Sequence, residues 1–383
     1  MYNKVRICVR IDTYSVGFSV VVWNKRQYQS LESRNSNSAV PLFVCLHIIQ
    51  HNKSWTKKKY WKMANVLLTQ LCVRSCPYCF AKKYMGEVSS KDKLSWDNLI
   101  YLADFFIKSG TSHMSLLGGE PLLHPQFSEI IHYLNKRGIH STIFTSGIAP
   151  KKQFEVMKRE LTDKSLVFNF VCNVNDPAKS PASELEIVYS FLEVFGERTT
   201  LSFNIYELDF NFDFLFEYIK KYNLKNHIRL GLAHPIPGQL NHCISPADFP
   251  KVAERLTYFY DKYKDENVEI GFDCGFPVCI FNEEQLGKMF LWSNGRLVFK
   301  CGPAIDIGPD MSVWSCFPLS GFNKRSIFEF DSMEDIDKFY SEKLKEMRGD
   351  EGIYETCTSC KYRKMGLCTA GCISHVINRK SNK

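Results

Sequence analysis

Apolar, strand-like runs alternate with amphipathic segments between Met63 and His234 of this 383-residue chain. The runs that read as buried strands are NVLLTQL, HMSLL, STIFTSG, SLVFNFVCNVN, TTLSFNIYEL and HIRLGLAH. The segments between them have helical spacing, as in Phe127, Ile130 and Leu134, which share one helix face. Because strands that alternate with helices form right-handed βαβ units, the pattern predicts a parallel sheet.

The number of these units predicts an α/β fold, a partial (βα)6 TIM-like barrel that lacks the eight units of a complete one. We expect three parts: a basic, poorly patterned extension at residues 1–62, the barrel core at 63–270 and a cysteine-rich C-terminal domain at 271–383. In barrels of this kind the functional side chains lie at the carboxyl ends of the strands. The loops after the strands are therefore where functional residues are expected.

The loop after the first strand, LCVRSCPYCF, carries Cys72, Cys76 and Cys79. Cys76 and Cys79 alone have the spacing of a dithiol redox pair, whereas all three together have the spacing of metal ligands. A thioredoxin-like pair belongs to one small βαβ unit, but here a long connection and five more strands follow it. The third cysteine also has no role in dithiol exchange. The loop therefore favours a metal centre.

A second motif, GGEP, follows the second strand at residues 118–121. The cysteine loop and this turn, each placed directly after a strand, together resemble the radical S-adenosylmethionine (SAM) enzymes. The resemblance implies that the three cysteines hold a [4Fe–4S] cluster and leave one iron free for SAM. An electron from the reduced cluster then cleaves SAM to a 5′-deoxyadenosyl radical, which abstracts a hydrogen atom from the substrate.

The resemblance also implies which residues contact SAM. Tyr78 occupies the aromatic position before the last cysteine, which packs near the adenine. The methionyl amino group is received by the turn of Gly118, Gly119, Glu120 and Pro121, in which Glu120 either pairs with the ammonium or stabilises the turn. Asn173 and Asn204 are candidates for contacts to the ribose, with a satisfied strand-end amide as the alternative for each. His113 and His124 flank the turn and read as structural residues.

Spaced cysteines dominate the sequence after residue 270, in the stretches DCGFPVC, CGPAIDIGPDMSVWSC and CTSCKYRKMGLCTAGC. Cysteines at this density are not explained as apolar core residues. Taken alone, the last stretch fits a zinc knuckle with four thiolate ligands. After a radical SAM core, the three stretches resemble the SPASM extension, whose auxiliary clusters lie beside the active site.

This second resemblance implies one or two auxiliary [4Fe–4S] clusters. Their expected ligands are Cys279, Cys301, Cys316, Cys357, Cys360, Cys368 and Cys372. Cys279 is expected in the first cluster, Cys274 is a spare, and one ligand of the second cluster is absent or supplied from elsewhere. The chain departs from the family pattern in having seven residues between Cys360 and Cys368 instead of five. The remaining cysteines, Cys8, Cys45, Cys172 and Cys243, read as ordinary residues.

The net charge of +8 is concentrated at the N-terminus, because residues 1–62 contain eleven Lys or Arg and two acidic residues. The rest has 38 basic and 39 acidic residues, so no nucleic-acid-binding face is expected there. For residues 1–62, a basic arm that touches RNA or a membrane surface and a poorly ordered or non-native extension both stay open. No apolar run reaches the ~18 residues of a membrane span and no export signal is evident, so we expect a cytoplasmic protein without membrane partners.

SPASM-type enzymes mostly modify peptides or proteins, so the resemblance implies a peptide or protein substrate and an electron donor such as flavodoxin or ferredoxin. Phe317 stands where the sulfatase-maturing branch has an aspartate, which argues against that activity. No leader-peptide-binding domain is evident before Met63, and a radical SAM oxidoreductase of a small molecule is therefore the main alternative. A non-catalytic iron–sulfur scaffold or redox carrier is a third, although it would not need the GGEP turn. No catalytic acid or base is identified.

Overall fold

The computed structural model describes residues 64–81 and 92–381, together with the backbone of three N-terminal strands. These strands, β1 (Arg6–Asp12), β2 (Gly17–Trp23) and β3 (Phe43–Leu46), form an antiparallel sheet in the order β2-β1-β3. Their side chains and the rest of residues 1–63 lie outside the described residues. The expectations for a basic arm or a poorly ordered extension fall on this segment and stay predictions.

A second sheet of ten strands contains the predicted parallel strands. Its parallel members are β4 (Ala64–Thr69), β5 (His113–Gly118), β6 (His140–Thr145), β7 (Asn169–Asn173), β8 (Thr199–Ile205), β9 (His227–Leu232) and β10 (Glu269–Phe272). They lie side by side in chain order, and each pairs in parallel with the next. The predicted α/β fold with six parallel strands is confirmed, and β10 extends it by a seventh.

Helices cross between these strands. Their bounds are α1 (Trp96–Lys108), α2 (Phe127–Lys136), α3 (Lys151–Glu160), α4 (Ala182–Phe195), α5 (Asp213–Lys221) and α6 (Phe249–Tyr263). Helix α1 begins after Ser95, whose hydroxyl accepts the backbone N–H of Asn98 as an N-cap. The apolar face predicted for α2 is fully buried against the sheet. These amphipathic faces place the core between helices and sheet and leave the strand ends free for loops.

The cysteine-rich region joins the other edge of the same sheet. Strand β11 (Ile305–Ile307) pairs in parallel with β4, and β12 (Ser312–Ser315) and β13 (Arg325–Ser326) continue the sheet in antiparallel pairing. The helices of this region are α7 (Glu283–Trp292), α8 (Met333–Arg348), α9 (Lys361–Lys364) and α10 (Ile373–Ser381). The region therefore extends the barrel sheet beside the first strand, next to the cysteine loop.

One hydrogen bond fixes this junction, and another stabilises the cysteine-rich region itself. The side-chain amide of Asn65 donates to Asp306 Oδ1 at 2.7 Å, and it connects β4 with β11. The hydroxyl of Tyr340 in α8 donates to the carbonyl of Val313 in β12 at 2.6 Å.

Within the described part of the chain, no helix is long and apolar enough to cross a bilayer.

Candidate active site

The predicted ligands Cys72, Cys76 and Cys79 lie together in the loop after β4. The backbone N–H of Cys79 donates to the carbonyl of Cys76 at 3.1 Å, which closes a tight turn around the C-x2-C pair. The sulfur of Cys72 accepts the backbone N–H of Arg74 at 3.4 Å. The pKa of Cys72 is raised to about 11, mainly by burial and in smaller part by the nearby Glu120 carboxylate and the thiols of Cys76 and Cys79. Three adjacent thiols are thus presented from one loop.

The GGEP turn packs directly on this loop. The backbone N–H of Gly119 donates to the carbonyl of Thr69 at 2.8 Å, and that of Glu120 donates to the carbonyl of Leu71 at 2.7 Å. A Cβ atom on Gly118 would lie 2.2 Å from the Thr69 carbonyl oxygen, and one on Gly119 would lie 2.2 Å from that of Leu71. Only glycine permits this approach, because a side chain at either position would overlap backbone atoms. The two motifs therefore form one structural unit.

Glu120 stabilises this turn from within. Its side chain is 1% exposed, and its carboxylate accepts hydrogen bonds from the backbone of Leu122 (3.1 Å), from the Thr145 hydroxyl (2.6 Å) and from both the backbone (2.7 Å) and the hydroxyl of Ser146. Burial raises the pKa of Glu120, and the hydrogen bonds oppose that rise because they favour the ionised form. The sequence analysis gave Glu120 two possible roles, pairing with the SAM ammonium and stabilising the turn. The hydrogen bonds in the structure are those of the second role. Pro121 follows as the buried first residue of a short 3-10 turn, Pro121–Leu123.

Tyr78, Asn173 and Asn204 form one hydrogen-bonded chain. Asn204 Nδ2 donates to Asn173 Oδ1 at 2.8 Å, and Asn173 Nδ2 donates to the Tyr78 hydroxyl at 2.9 Å. That hydroxyl in turn donates to Asn175 Oδ1 at 3.1 Å, and the Tyr78 ring packs on Tyr206 with centroids 4.9 Å apart. Both asparagines are thus satisfied at their strand ends, and their contact with a ribose stays a prediction.

Asn175 and Tyr206 were missed by the sequence analysis. Each stands two positions after one of the predicted asparagines, on the loop just beyond the strand. In an extended segment, residues two positions apart point to the same side. This spacing was the sequence signal that could have identified Asn175 and Tyr206. Burial raises the pKa of Tyr78 well above its ordinary value, so its hydroxyl stays protonated and continues to donate.

Arg74, inside the cysteine loop, was also missed. Its side chain is only 5% exposed and forms an ion pair with Glu184 of α4, with Nη2 2.6 Å from Oε1. Its Nη1 donates to the backbone carbonyl of Asn173 at 2.7 Å. A buried guanidinium with these partners fixes the loop against β7 and α4. An arginine between two ligand cysteines was its only signal in the sequence.

The inner face of the sheet also carries polar groups. Arg229 of β9 forms an ion pair with Asp273, and its Nη1 donates to the Ser202 hydroxyl at 3.2 Å. Its guanidinium lies over the ring of Phe144, 5.4 Å from the centroid. The alternation of side chains along β8 places Ser202 on the same face as Asn204. The Tyr78 chain and Arg229 thus share one face of the sheet.

Four late cysteines, which we name the first thiol group, lie near one another: Cys274, Cys301, Cys316 and Cys372. The thiols of Cys301 and Cys372 are hydrogen-bonded to each other. Burial raises the pKa of Cys316, and the nearby thiols of Cys372, Cys274 and Cys301 raise it further. The structure therefore differs from the expected arrangement, because Cys274 occupies the position beside Cys301 that was assigned to Cys279.

Cys279 lies instead with the remaining three cysteines, Cys357, Cys360 and Cys368, which together form the second thiol group. Burial raises the pKa of Cys279 to about 11, and electrostatic interaction with Cys357, Cys368 and Cys360 adds to the rise. The sequence analysis assigned Cys279 differently because spacing along the chain does not show how the loop after β10 folds over the last cysteine run.

Among the described residues, those expected to be ordinary or structural have no arrangement like these groups. The imidazole of His124 is buried, with Nε2 3.0 Å from the carbonyl of Leu94 and Nδ1 accepting the backbone N–H of Gln126 at 3.2 Å. His113 packs edge-on against Phe168. Cys172 is buried in the core and Cys243 is partly buried, whereas the side chains of Cys8 and Cys45 lie outside the described residues.

The donor sets fit iron–sulfur clusters. Thiolates are the ligands that [4Fe–4S] cubes take from proteins, and this chain supplies a group of three and two groups of four. Among the described residues, no three His, Cys, Asp or Glu side chains converge closely enough to hold a single metal ion. A cube binds each thiolate at a different corner iron and therefore spaces its ligands more widely than one ion does.

The comparisons with known proteins agree with this geometry. A sequence profile of the radical SAM superfamily matches residues 66–168, which include the cysteine loop and the GGEP turn. Molybdenum cofactor biosynthesis protein 1 of Bos taurus is 32% identical over 85 residues, which are 22% of this chain and 13% of that protein. The chain thus matches only a small part of this curated relative.

Two solved structures share the fold. Streptococcus suis SuiB bound to precursor peptide SuiA superposes with a TM-score of 0.55 at 14% identity, covering 82% of this chain and 72% of that chain. The hexahistidine-tagged anSMEcpe with bound AdoMet superposes with a TM-score of 0.57 at 16% identity, covering 81% and 86%. A radical SAM domain implies SAM and a [4Fe–4S] cluster, and the three-thiol loop with its glycine turn fits both. Residues 66–168 of the chain thus form a domain of the radical SAM superfamily.

Proposed function

We propose that this enzyme cleaves SAM reductively and abstracts a hydrogen atom from a peptide or protein substrate. The observation that carries the proposal is the contact between the two motifs, in which Glu120 donates its backbone N–H to the Leu71 carbonyl at 2.7 Å. A turn suited to an amino acid ammonium is thereby held against a loop of three thiols. A redox carrier or scaffold would need the thiols without the turn.

The residues of the chain have separate tasks in this proposal. Cys72, Cys76 and Cys79 would hold the cluster. Ligation to iron would keep all three as thiolates, including Cys72, whose pKa burial otherwise raises. When bound, the cluster and SAM supply the electron and the radical chemistry. Arg74 holds the loop against β7 and α4, and Tyr78 links it to the ends of β7 and β8.

Two observations support a peptide or protein substrate. SuiB, which shares the fold, was crystallised with a precursor peptide. In this chain, the inner face of the sheet carries Arg229, Asp273 and Ser202 beside the asparagine chain, so polar groups are available to bind amide groups of a substrate. An electron donor such as flavodoxin or ferredoxin would be required to reduce the cluster.

The late cysteines would bind auxiliary [4Fe–4S] clusters. Every cysteine of both thiol groups is free of disulfide bonds in the structure, as are all the other cysteines whose side chains it describes. Cysteines at this density with metal-ligand spacing are typical of proteins of a reducing compartment, which supports action in the cytoplasm.

The test combines metal content with turnover. Anaerobically reconstituted protein should bind about 8–12 irons, since each cube contains four. After reduction it should convert SAM to 5′-deoxyadenosine, and the triple variant Cys72→Ala/Cys76→Ala/Cys79→Ala should produce none while it keeps the iron of the late cysteines. Cys243→Ala is the matched control and should behave as the wild type. A wild-type protein that binds the clusters but never cleaves SAM would favour a redox carrier and contradict the proposal.

A small-molecule substrate is the second candidate. It is favoured by the local similarity to molybdenum cofactor biosynthesis protein 1, which reaches 32% identity over 85 residues. Incubation of the reduced enzyme with candidate peptides in deuterated solvent, followed by mass spectrometry, separates the two classes. Deuterium incorporation or mass change in a peptide supports the first candidate, and turnover only of small molecules supplied in place of the peptides supports the second.

A further inference from the structure

The turn that carries Cys279 is held in place on both sides. It is a 3-10 turn, Val278–Ile280, in which Val278 and Ile280 are buried. Cys279 between them keeps part of its surface exposed, although protein atoms shield its thiol. Just beyond it, Asn282 and Gln285 cap the start of α7 reciprocally, each side chain accepting the backbone N–H of the other at 2.9 Å. The turn that carries Cys279 is therefore held by the buried side chains of Val278 and Ile280 and by the capped first turn of α7.

This turn lies against the last cysteine run. The ring of Phe281, two residues after Cys279, packs on Phe299 with centroids 6.1 Å apart. Phe299 in turn forms a parallel backbone bridge with Cys368, and its carbonyl accepts the N–H of Thr369 at 3.2 Å. A contact between rings and a backbone bridge thus connect Cys279 to Cys368 across 89 residues of sequence.

The other two members of the second thiol group meet at the same place. Cys360 donates its backbone N–H to the Cys357 carbonyl at 3.4 Å. Tyr354 lies beside both Cys279 and Cys357, whose thiols add to the effect of burial in raising its pKa, and its hydroxyl donates to the Pro246 carbonyl at 2.6 Å. A Cβ atom on Gly352 would lie 2.6 Å from the Cys357 sulfur, so the backbone approaches this thiol as closely as it can.

Basic residues follow Cys360 directly in the sequence. Helix α9, which begins directly after Cys360, carries Lys361, Arg363 and Lys364 within four residues. A cube with four thiolate ligands has a net negative charge, which adjacent cations stabilise. The first thiol group is complete without Cys279, because Cys274 already lies with Cys301, Cys316 and Cys372.

We propose that Cys279 is the fourth ligand of a [4Fe–4S] cluster held by Cys357, Cys360 and Cys368. The eight late cysteines then form two complete sets of four, and a ligand from the loop after β10 connects the end of the barrel to the last cysteine run. The proposal rests on the proposed function in one respect, namely that the late cysteines bind clusters at all.

The test is a ligand-partition experiment on the reconstituted full chain. One background, Cys301→Ala/Cys316→Ala, removes the first thiol group, and the other, Cys357→Ala/Cys360→Ala, removes the second. Adding Cys279→Ala should remove about four further irons, or leave a three-iron cluster visible by electron paramagnetic resonance, on the first background only. Cys274→Ala is the matched control and should show the reverse pattern. The proposal would be overturned if Cys279→Ala removed iron on the second background, or if it removed no iron on either background.

Thiol labelling gives a second readout that does not require replacement of Cys279 itself. N-ethylmaleimide followed by mass spectrometry should label Cys279 in cluster-free protein and not after reconstitution, because a metal-bound thiolate is protected. In Cys357→Ala/Cys360→Ala, Cys279 should be labelled in both states, and Cys243 serves as the reference thiol. Equal labelling of Cys279 before and after reconstitution of the wild type contradicts the proposal. A wild type with only about four irons would instead overturn both this proposal and the auxiliary clusters of the proposed function.

Discussion

Asn173 donates its side-chain amide to the hydroxyl of Tyr78 at 2.9 Å, and this bond joins the end of β7 to the cysteine loop after β4. The same hydroxyl donates to Asn175 at 3.1 Å, so one buried oxygen connects the cysteine loop to the end of β7 and to the loop that follows it. The loop that carries the predicted cluster ligands is therefore positioned by a strand that lies three places away in the sheet.

Replacing Tyr78 by Phe should destabilise the protein by about 1–3 kcal/mol, because two partly buried hydrogen-bonding partners lose the hydroxyl between them. The ring and its packing on Tyr206 are kept, so the effect isolates the hydroxyl. The free energy of unfolding from urea titration is the measurement. Tyr258→Phe, at a ring that is 57% exposed, is the control. Equal stability of the two variants would show that the hydroxyl does not fix the loop.

Replacing Gly119 by Ala should separate the turn from the cysteine loop. The new Cβ would lie 2.2 Å from the Leu71 carbonyl oxygen, and only backbone movement relieves that overlap. We expect a loss of about 1–3 kcal/mol in stability, as for overpacked sites, and at least about a tenfold loss of SAM affinity, which corresponds to 1.4 kcal/mol. Gly321→Ala, where a Cβ would meet no atom within 4 Å, is the control. Calorimetric titration with SAM that finds unchanged affinity in Gly119→Ala would contradict this account of the turn.

Glu120→Gln keeps the volume of the side chain but places an amide NH2 where an oxygen now accepts hydrogen bonds. Both carboxylate oxygens of Glu120 are used by donors, so either orientation of the amide opposes two donor groups. The cluster should still assemble, while SAM affinity falls by about 1–3 kcal/mol through loss of charge-assisted bonds that shape the turn. Glu129→Gln, an exposed position on α2, should change neither quantity. Loss of iron from Glu120→Gln would instead assign the residue to the cluster loop.

The regular part of the fold could be predicted from the sequence because its periodicity is local. The buried face of α2 follows from four apolar residues at helical spacing, and the end of that helix follows from Gly138, whose φ is 72°. Strand β10 was not predicted because EIGF is short, begins with a charged residue and gains its order only by pairing with β9. Strands β11 to β13 were missed for the same reason, since they are defined by tertiary pairing.

The candidate site likewise has features that are local in sequence, which could be predicted, and long-range contacts, which could not. The three cysteines of the loop and the GGEP turn are recognisable because their spacing is short, whereas Arg74 and its partner Glu184 are 110 residues apart. The placement of Cys274 and Cys279 depends on how the loop after β10 folds over two later segments. Spacing along the chain contains no information about that crossing, so only the structure separates the two cysteines.

His124 makes the stability depend on pH. Its Nδ1 accepts a backbone N–H while Nε2 donates to a carbonyl, an arrangement that needs the neutral ring, and burial lowers its pKa in the folded protein. Because the folded pKa lies below the unfolded value of about 6.5, stability should be fully present above that pH and should fall as the pH is lowered through it. Urea midpoints of cluster-free protein at pH 8 and pH 6 measure this fall. It should be smaller in His124→Gln than in the wild type, and the exposed control His132→Gln should match the wild type.

Replacing Cys72 by Ala decides between the two interpretations of the cysteine loop. If Cys76 and Cys79 act as a redox pair, exchange needs only one attacking and one resolving thiol, and Cys72→Ala keeps it. If all three hold one cube, two thiolates remain and the site should lose its about four irons and all production of 5′-deoxyadenosine. Cys76→Ala and Cys79→Ala should then be equally inactive, while the iron bound by the late cysteines persists.

Cys72 also accepts the backbone N–H of Arg74 at 3.4 Å. Cys72→Ser separates this hydrogen bond from iron ligation, because serine keeps an acceptor for the N–H but is a poor ligand for iron. Normal SAM cleavage by Cys72→Ala would exclude a cube held by this loop.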